Sequence, residues 1–246
     1  MAIACFQDSM IRLVVLIISL VNIITLTLFN RFYNLPDLEE IGIIDAGLLE
    51  AWTICLSPHD DVLVAGNHRG DVNIWSMQEG RELVTTLETN NKFILSTAFS
   101  PDLKLATAGI DGNINIFDIT TRQIIHQIGA HALPARSVTF SQQGNLVFSA
   151  SDDRHVSVFD VVSGTVVNTF SHAGMCLSVD TSPDHRHFVV GCSDSKVLLW
   201  DLGMQKFIRS YDQHKDQVWG VTYDKQDSIG RKFASVGDDY LLQVYE

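Results

Sequence analysis

Apolar residues crowd residues 10–29, where the run MIRLVVLIISLVNIITLTLF carries Arg12 as its one charge. That length and hydropathy match a helix that crosses a bilayer. Ser19, Asn22, Thr25 and Thr27 dilute the run, and its many β-branched residues suit a buried element equally well. Neither a basic cluster ahead of it nor a small-x-small site behind it marks a secretory signal. From about residue 41 the pattern changes to short alternations of apolar and polar residues, broken by Gly, Asn and Asp, with little helical period. The sequence therefore predicts an apolar, helical segment over 1–40 and an all-β domain over 41–246.

The alternating runs end in an aromatic residue at regular distances. These are VNIW at Trp75, INIF at Phe117, VSVF at Phe159, VLLW at Trp200 and LQVY at Tyr245, spaced 42, 42, 41 and 45 residues apart. A unit of about forty residues holding several short strands is the mark of a β-propeller blade, because a helical solenoid would show helix periods inside each unit. Five four-stranded blades are expected, over about 46–83, 84–125, 126–167, 168–208 and 209–246. Other landmarks keep step. Asp111, Asp153, Asp194 and Asp239 each stand six residues before the aromatic, with Arg69 in the first unit. An Asp in a tight turn accepts hydrogen bonds from local backbone N–H groups, and here also from the blade-opening His131, His172 and His214. The first strand of a unit ends in CLSP at 55–58, AFSP at 98–101 and TSP at 181–183, where Pro stops the strand without losing a ladder bond. The fifth unit reaches only its third strand at Tyr245, so residues 41–45 are an expected outer strand: either they cover the fifth blade, since an uncovered edge invites aggregation, or they finish a blade ahead of the first and leave an open five-blade arc, which blades shaped for seven-fold curvature favour.

Composition narrows the function classes. The chain has 17 Lys and Arg against 29 Asp and Glu, a net charge of -12, and its basic residues form no stripe that could release counterions from a nucleic acid. Direct nucleic-acid binding is not expected. The 4 Cys (Cys5, Cys55, Cys176 and Cys192) include no C-x-x-C pair and read as buried thiols in a reducing compartment.

Nearly every His and Asp falls on the repeat grid, so repetition accounts for them as architecture. His185 and His187 have a spacing that could place two imidazoles on one side of a strand, yet no Cys or carboxylate triangulates with them as a metal site requires. Asp152 and Asp153 are neighbours, which strand alternation sends to opposite sides. Gly109 and Gly112 sit in a strand-to-strand turn, ahead of no helix that could cradle phosphate. No catalytic, cofactor-binding or metal-ligating residue is assigned, and no cofactor is expected. What remains is a surface. Residues just before the core of each first strand point toward one end of a propeller: Trp52, Leu95, Arg136, Leu177 and Trp219, with Glu50, Phe93, Pro134, Met175 and Gln217 two positions earlier. His68, Ile110, Asp152, Ser193 and Asp238 join them from the turns. Aromatic anchors with a polar surround have the composition of a binding hot spot.

The pairs FD at Phe117 and Asp118, FD at Phe159 and Asp160, and WD at Trp200 and Asp201 resemble the WD-repeat family. The runs DAGLLEAWT, KFILSTAFSPD, DGNINIFDI, SASDDRHVSVFDV and DQVWGVTYD resemble the branch that serves the superkiller (Ski) and RNA polymerase II-associated factor (Paf) complexes. The likeness fails over residues 1 to about 40, where relatives would carry two further blades. The resemblance implies a non-catalytic scaffold in nucleus and cytoplasm. Its partners would be a tetratricopeptide-repeat protein and an RNA helicase of a Ski-like complex acting in mRNA decay, and Paf subunits in transcription elongation. A membrane-tethered adaptor held by residues 10–29 is the alternative expectation.

Overall fold

Alternation with period two gives each run one face to bury, and strands form along these runs throughout the computed structural model. It describes residues 51–246 apart from 60, 78–81, 90–91, 226 and 228, together with the backbone of five short strands among the first fifty residues. Those five strands stand where a helix was expected. β1 (Cys5–Asp8) pairs antiparallel with β2 (Ile11–Val14), and β3 (Ile23–Leu26), β4 (Arg31–Asn34) and β5 (Glu39–Ile43) form a three-stranded antiparallel sheet. β-branched residues such as Ile23, Ile24 and Thr25 are restricted in a helix and at home on a pleat, so local preference overrides the length of the run. Within the expected span of 10–29, residues 11–14 and 23–26 are strand and the remainder lies outside the described residues. Among the described residues no helix is long and apolar enough to cross a membrane.

Four complete antiparallel meanders follow. The first comprises β6 (Ala51–Leu56), β7 (Val62–Asn67), β8 (Asp71–Ser76) and β9 (Leu83–Glu88), and the second β10 (Ile94–Phe99), β11 (Lys104–Gly109), β12 (Asn113–Asp118) and β13 (Gln123–Gly129). The third holds β14 (Ala135–Phe140), β15 (Leu146–Ser151), β16 (His155–Asp160) and β17 (Val166–Ser171). The fourth holds β18 (Cys176–Thr181), β19 (His187–Cys192), β20 (Val197–Asp201) and β21 (Lys206–Tyr211). A fifth sheet contains β22 (Val218–Tyr223), β23 (Phe233–Gly237) and β24 (Leu242–Tyr245), three strands among the described residues. The aromatic anchor stands near the end of the third strand of each sheet, and in the four complete sheets the outer strand follows it. The boundaries expected from its period therefore cut through the outer strands, and the sheets run 51–88, 94–129, 135–171, 176–211 and 218–245. Of the run at 41–45, residues 41–43 belong to β5, which pairs with β4 as the outer strand of the sheet ahead of the first complete meander and not with β24. A local meander closes a loop of a few residues whereas pairing with β24 closes one of about two hundred, and closure entropy grows with loop length.

The innermost strands β6, β10, β14, β18 and β22 pack side by side in chain order, giving a propeller-like fan. Its cores lie between successive blades. Val64, Ile94 and Phe117 fill the first seam, Ile116, Val138 and Phe140 the second, Phe148, Phe170 and Phe188 the third, and Val189, Tyr223 and Phe233 the fourth. Hydroxyls stitch the same seams: the N–H groups of Val138, Val179 and Val221 donate to Ser96, Ser137 and Ser178 of the preceding blade at 3.2, 3.3 and 3.1 Å. Cys55, Cys176 and Cys192 are buried free thiols, and burial pushes the Cys55 thiol up to about 12. The turn between the second and third strands is left-handed at one repeating position, with φ of 93° at Gly70, 79° at Gly112, 70° at Arg154, 67° at Ser195 and 61° at Tyr240.

Candidate functional site

The innermost strand of each of the five blades carries a β-bulge at its second residue. Register slips between Ala51 and Thr53, Ile94 and Ser96, Ala135 and Ser137, Cys176 and Ser178, and Val218 and Gly220. The five skipped residues are Trp52, Leu95, Arg136, Leu177 and Trp219. A bulged residue stands outside the ladder, and the kink re-aims its side chain. A second repeating contact brings up the neighbours. The N–H groups of Ile110, Asp152, Ser193 and Asp238 donate to the carbonyls of Phe93, Pro134, Met175 and Gln217 at 2.9, 3.1, 3.0 and 2.9 Å. The structure thus places the sequence-predicted residues along one end of the sheets, where first strands begin and the second-to-third turns close. Glu50 lies outside the described residues, and His68 is exposed in its turn.

The face is not uniform. Leu95 and Leu177 are buried, Met175 is exposed, and Trp52, Phe93, Arg136, Gln217, Trp219, Asp152 and Asp238 are half-buried. Trp52 and Phe93 meet edge to face across the first seam, with ring centroids 4.5 Å apart, the arrangement their quadrupoles favour. Arg136 is not a free cation: its Nε donates to both carboxylate oxygens of Asp152 at 2.9 and 3.0 Å, and its Nη2 to Oδ2 at 2.7 Å. The fork uses one edge of the guanidinium, and Nη1 is not part of it. The indole Nε1 of Trp219 is buried with no hydrogen-bond partner.

Beneath this face the Asp column holds the turns. Asp153 accepts from His131 Nδ1 at 2.9 Å and from the N–H of His155 at 3.0 Å, while the other ring nitrogen of His131 faces Ser149 Oγ at 3.0 Å. Asp239 repeats the scheme with His214 at 3.0 Å, the N–H of Lys215 at 2.9 Å and Ser235 behind the ring at 2.7 Å. Burial opposes the charge on both carboxylates, yet the converging donors hold them below the usual carboxylate range. Asp111 accepts from Asn113, through its N–H at 3.2 Å and its side chain at 2.8 Å. In the first blade Asn67 takes over the role missing at Arg69, accepting from the N–H groups of Arg69 and Asp71 at 2.8 and 3.0 Å. An Asn two residues ahead of the vacant column was the readable signal.

The fourth blade departs from the expected pairing. His172 turns its Nδ1 to the carbonyl of Phe170 at 3.0 Å instead of reaching Asp194, and both His172 Nε2 and Asp194 Oδ1 are buried without a hydrogen-bond partner. Val190 stands where the other blades have Ser149 and Ser235, so no hydroxyl pins the far side of the ring. Burial pushes the His172 imidazole down to about 4. The anchors also differ: Trp75 is buried, whereas Trp200 is half-buried among Phe170, His172, Phe188 and Phe207.

Elsewhere, His187 Nδ1 bonds Asp184 at 2.6 Å and His185 occupies a left-handed turn residue with φ of 61°. Among the described residues no three His, Cys, Asp or Glu side chains are grouped to hold a metal ion. A Cβ at Gly112 would run into the carbonyl of His131, so this glycine serves close backbone approach in a turn. The sequence reading passed over Tyr240 and Leu241, which are exposed at columns occupied elsewhere by Gly, Arg or Ser and by Asp, Asn, His or Lys. Comparing the columns reveals them.

The WD domain, G-beta repeat family matches residues 81–118, 122–160 and 164–201, each match running from the outer strand of one blade through the third strand of the next. WD repeat-containing protein SL1-17 of Schistosoma mansoni is 36% identical over 205 residues, covering 82% of this chain and 66% of that protein. WD repeat-containing protein VIP3 of Arabidopsis thaliana is 34% identical over 128 residues, or 46% of this chain and 40% of its own length. Pre-mRNA-processing factor 17 of Homo sapiens is 26% identical over 146 residues, or 58% and 25%. The chain spans less than two thirds of the length of these relatives.

Proposed function

We propose, from the premise that this chain carries WD40 repeats and is homologous to WD-repeat proteins, that it is a non-catalytic scaffold whose bulged face grips an extended segment of a larger protein. The observation that carries this reading is the recurrence of a bulge at one position of five innermost strands, which aims Trp52, Leu95, Arg136, Leu177 and Trp219 to one end of the blades. Trp and Arg are enriched among energetic anchors, and half-burial leaves them surface to give to a partner. The partners implied by resemblance are the tetratricopeptide-repeat protein and RNA helicase of a Ski-like complex, and Paf subunits. The human relative's name, a pre-mRNA-processing factor, supports a nuclear setting, and the Ski-like resemblance adds a cytoplasmic one.

The test removes the anchors without stranding a charge. Asp152 is largely buried beneath Arg136, so both are replaced together: Arg136→Ala, Asp152→Ala and Trp219→Ala in one chain. Titration with the tetratricopeptide-repeat subunit should show binding weaker by roughly 2 kcal/mol or more, about thirtyfold, with a cooperative melting transition retained. Unchanged affinity would remove the bulged face from the reading.

A further inference from the structure

The innermost and second strands of each blade meet at one repeating cross-strand pair, just ahead of the bulge. The pairs are Ala51 with Asn67, Ile94 with Gly109, Ala135 with Ser151, Cys176 with Cys192 and Val218 with Gly237. Four of the blades show that the position needs no more than an apolar residue facing a small or polar one. In the fourth blade two thiols face each other, both fully buried in the core that joins the third blade to the fourth. Packing alone does not call for a second sulfur there.

The N–H of Ser193 donates to the carbonyl of Met175 at 3.0 Å, and the N–H of Cys192 turns away from β18 to the carbonyl of Lys196, also at 3.0 Å. Those bonds mark Cys176 and Cys192 as a non-hydrogen-bonded pair of an antiparallel ladder, whose Cα atoms stand about 4.5 Å apart with both side chains on one face. A disulfide spans Cα separations of roughly 4.4 to 6.8 Å, so the backbone already holds the distance. The bond also needs the two Cβ atoms to draw to about 3.8 Å. The slip in register between Cys176 and Ser178 supplies that slack, because a bulged strand bends and twists locally. The Cys176 thiol shares a hydrogen bond with Cys192, which puts the two sulfurs in contact. That bond and burial hold Cys176 well above the ordinary thiol range, so oxidation waits on a local opening. The end of the ladder above the pair is closed by the Ser193 N–H on the Met175 carbonyl and the Met175 N–H on Ser193 Oγ, each at 3.0 Å, with Met175 exposed and Ser193 half-buried. A small oxidant therefore reaches the sulfurs when a strand end frays, without unfolding of the blade.

We infer that Cys176 and Cys192 form a reversible cross-strand disulfide site, oxidised by a peroxide, which staples the fourth blade directly beneath the bulged face. One sulfur attacks the peroxide, the O–O bond breaks, and a sulfenic acid and one water result. The second sulfur displaces the sulfenic oxygen as another water, and the S–S bond forms. The two thiols lose two electrons and their two protons, and the peroxide is reduced to water. The site rests on the geometry of the blade and holds whether or not a partner docks above it.

The native full chain is treated with hydrogen peroxide, alkylated after unfolding and digested with trypsin, which cuts at Arg186 between the two cysteines. The expected product is residues 155–186 joined to 187–196, about 2 Da lighter than the two peptides together and lost on treatment with dithiothreitol. Amide exchange at residues 175–178 should slow by about tenfold in the oxidised chain. Cys192→Ser, a change to the residue type that Ser151 provides in the third blade, should fold and show no slowing, which assigns the effect to the bond and not to oxidised methionine. Sulfoxides at the exposed Met175 and Met204 report that peroxide has reached the protein. Thiols still free at that stage overturn the inference. So do pairings with Cys5 or Cys55 in equal yield, sulfinic or sulfonic acids in place of the disulfide, exchange that oxidation leaves unchanged, or slowing that persists in Cys192→Ser.

Discussion

His172 shows how one missing hydroxyl changes a residue's chemistry. With Val190 in place of a serine, the ring loses the partner that orients His131 and His214, and it settles on a carbonyl inside the core. In the unfolded chain this imidazole takes up a proton below about 6.5, but in the fold only near 4, so the unfolded state binds more protons across that window. Stability should therefore fall as pH drops from 6.5 to 4, by about 2 to 3 kcal/mol from this group. His131, also pushed down chiefly by burial, acts in the same direction. The carboxylates Asp153 and Asp239 titrate lower still, and their contribution is lost only below the ordinary carboxylate range. Urea denaturation at pH 7, 5 and 4 should show a shallower loss in His172→Gln than in the parent chain, and parallel curves would contradict the assignment. The Asp column itself was legible from spacing, since a side chain repeating six residues before an aromatic answers to geometry. The unequal roles within it were not, because they depend on residues across the sheet. Asp153→Ala and Asp239→Ala should each cost about 2 to 3 kcal/mol by stranding a buried imidazole N–H, while Asp194→Ala should cost less than half of that. Equal melting temperatures for the three would refute this ranking.

Strands were readable from alternation because the pleat has period two, and the third strands and their anchors lie where the pattern put them. Their outer partners were misassigned in sequence since those strands are exposed on nearly every residue: β9 and β17 each bury a single side chain, Leu87 and Phe170. A strand held mainly by backbone bonds and one anchor leaves a faint hydrophobic pattern. Bulges are also invisible in sequence, because they express a mismatch of register between two strands. The seams carry information of the same hidden kind. Asp180 of β18 accepts from the N–H of Tyr223 at 2.8 Å, from Thr222 Oγ1 at 3.2 Å and from Lys225 Nζ at 2.8 Å, and so clips the fifth blade to the fourth. Asp180→Ala should cost about 2 to 3 kcal/mol by removing an acceptor shared by buried donors, while Lys225 keeps its bond to the Thr181 carbonyl at 2.8 Å. Limited proteolysis should then cut first within 218–245, and an unchanged cleavage pattern would show that the apolar seam alone holds the blade.

The period near forty residues was enough to read the propeller-like plan of residues 51–245, since every unit needs neighbours to bury its two faces. Within the span of 1–40 expected to be helical, residues 11–14 and 23–26 form strands, because a long apolar run signals burial without choosing between helix and strand. The bulged residues stand apart from this plan in one respect. Each lies off the ladder that builds its own wedge, and the seams between wedges are filled by other positions. Selection can therefore rewrite the three half-buried letters, Trp52, Arg136 and Trp219, one at a time at little expense to the wheel, while the buried Leu95 and Leu177 hold their places to apolar residues. With the bulged face as the proposed docking surface, the same architecture would exchange its clientele by point substitution, with no change of framework.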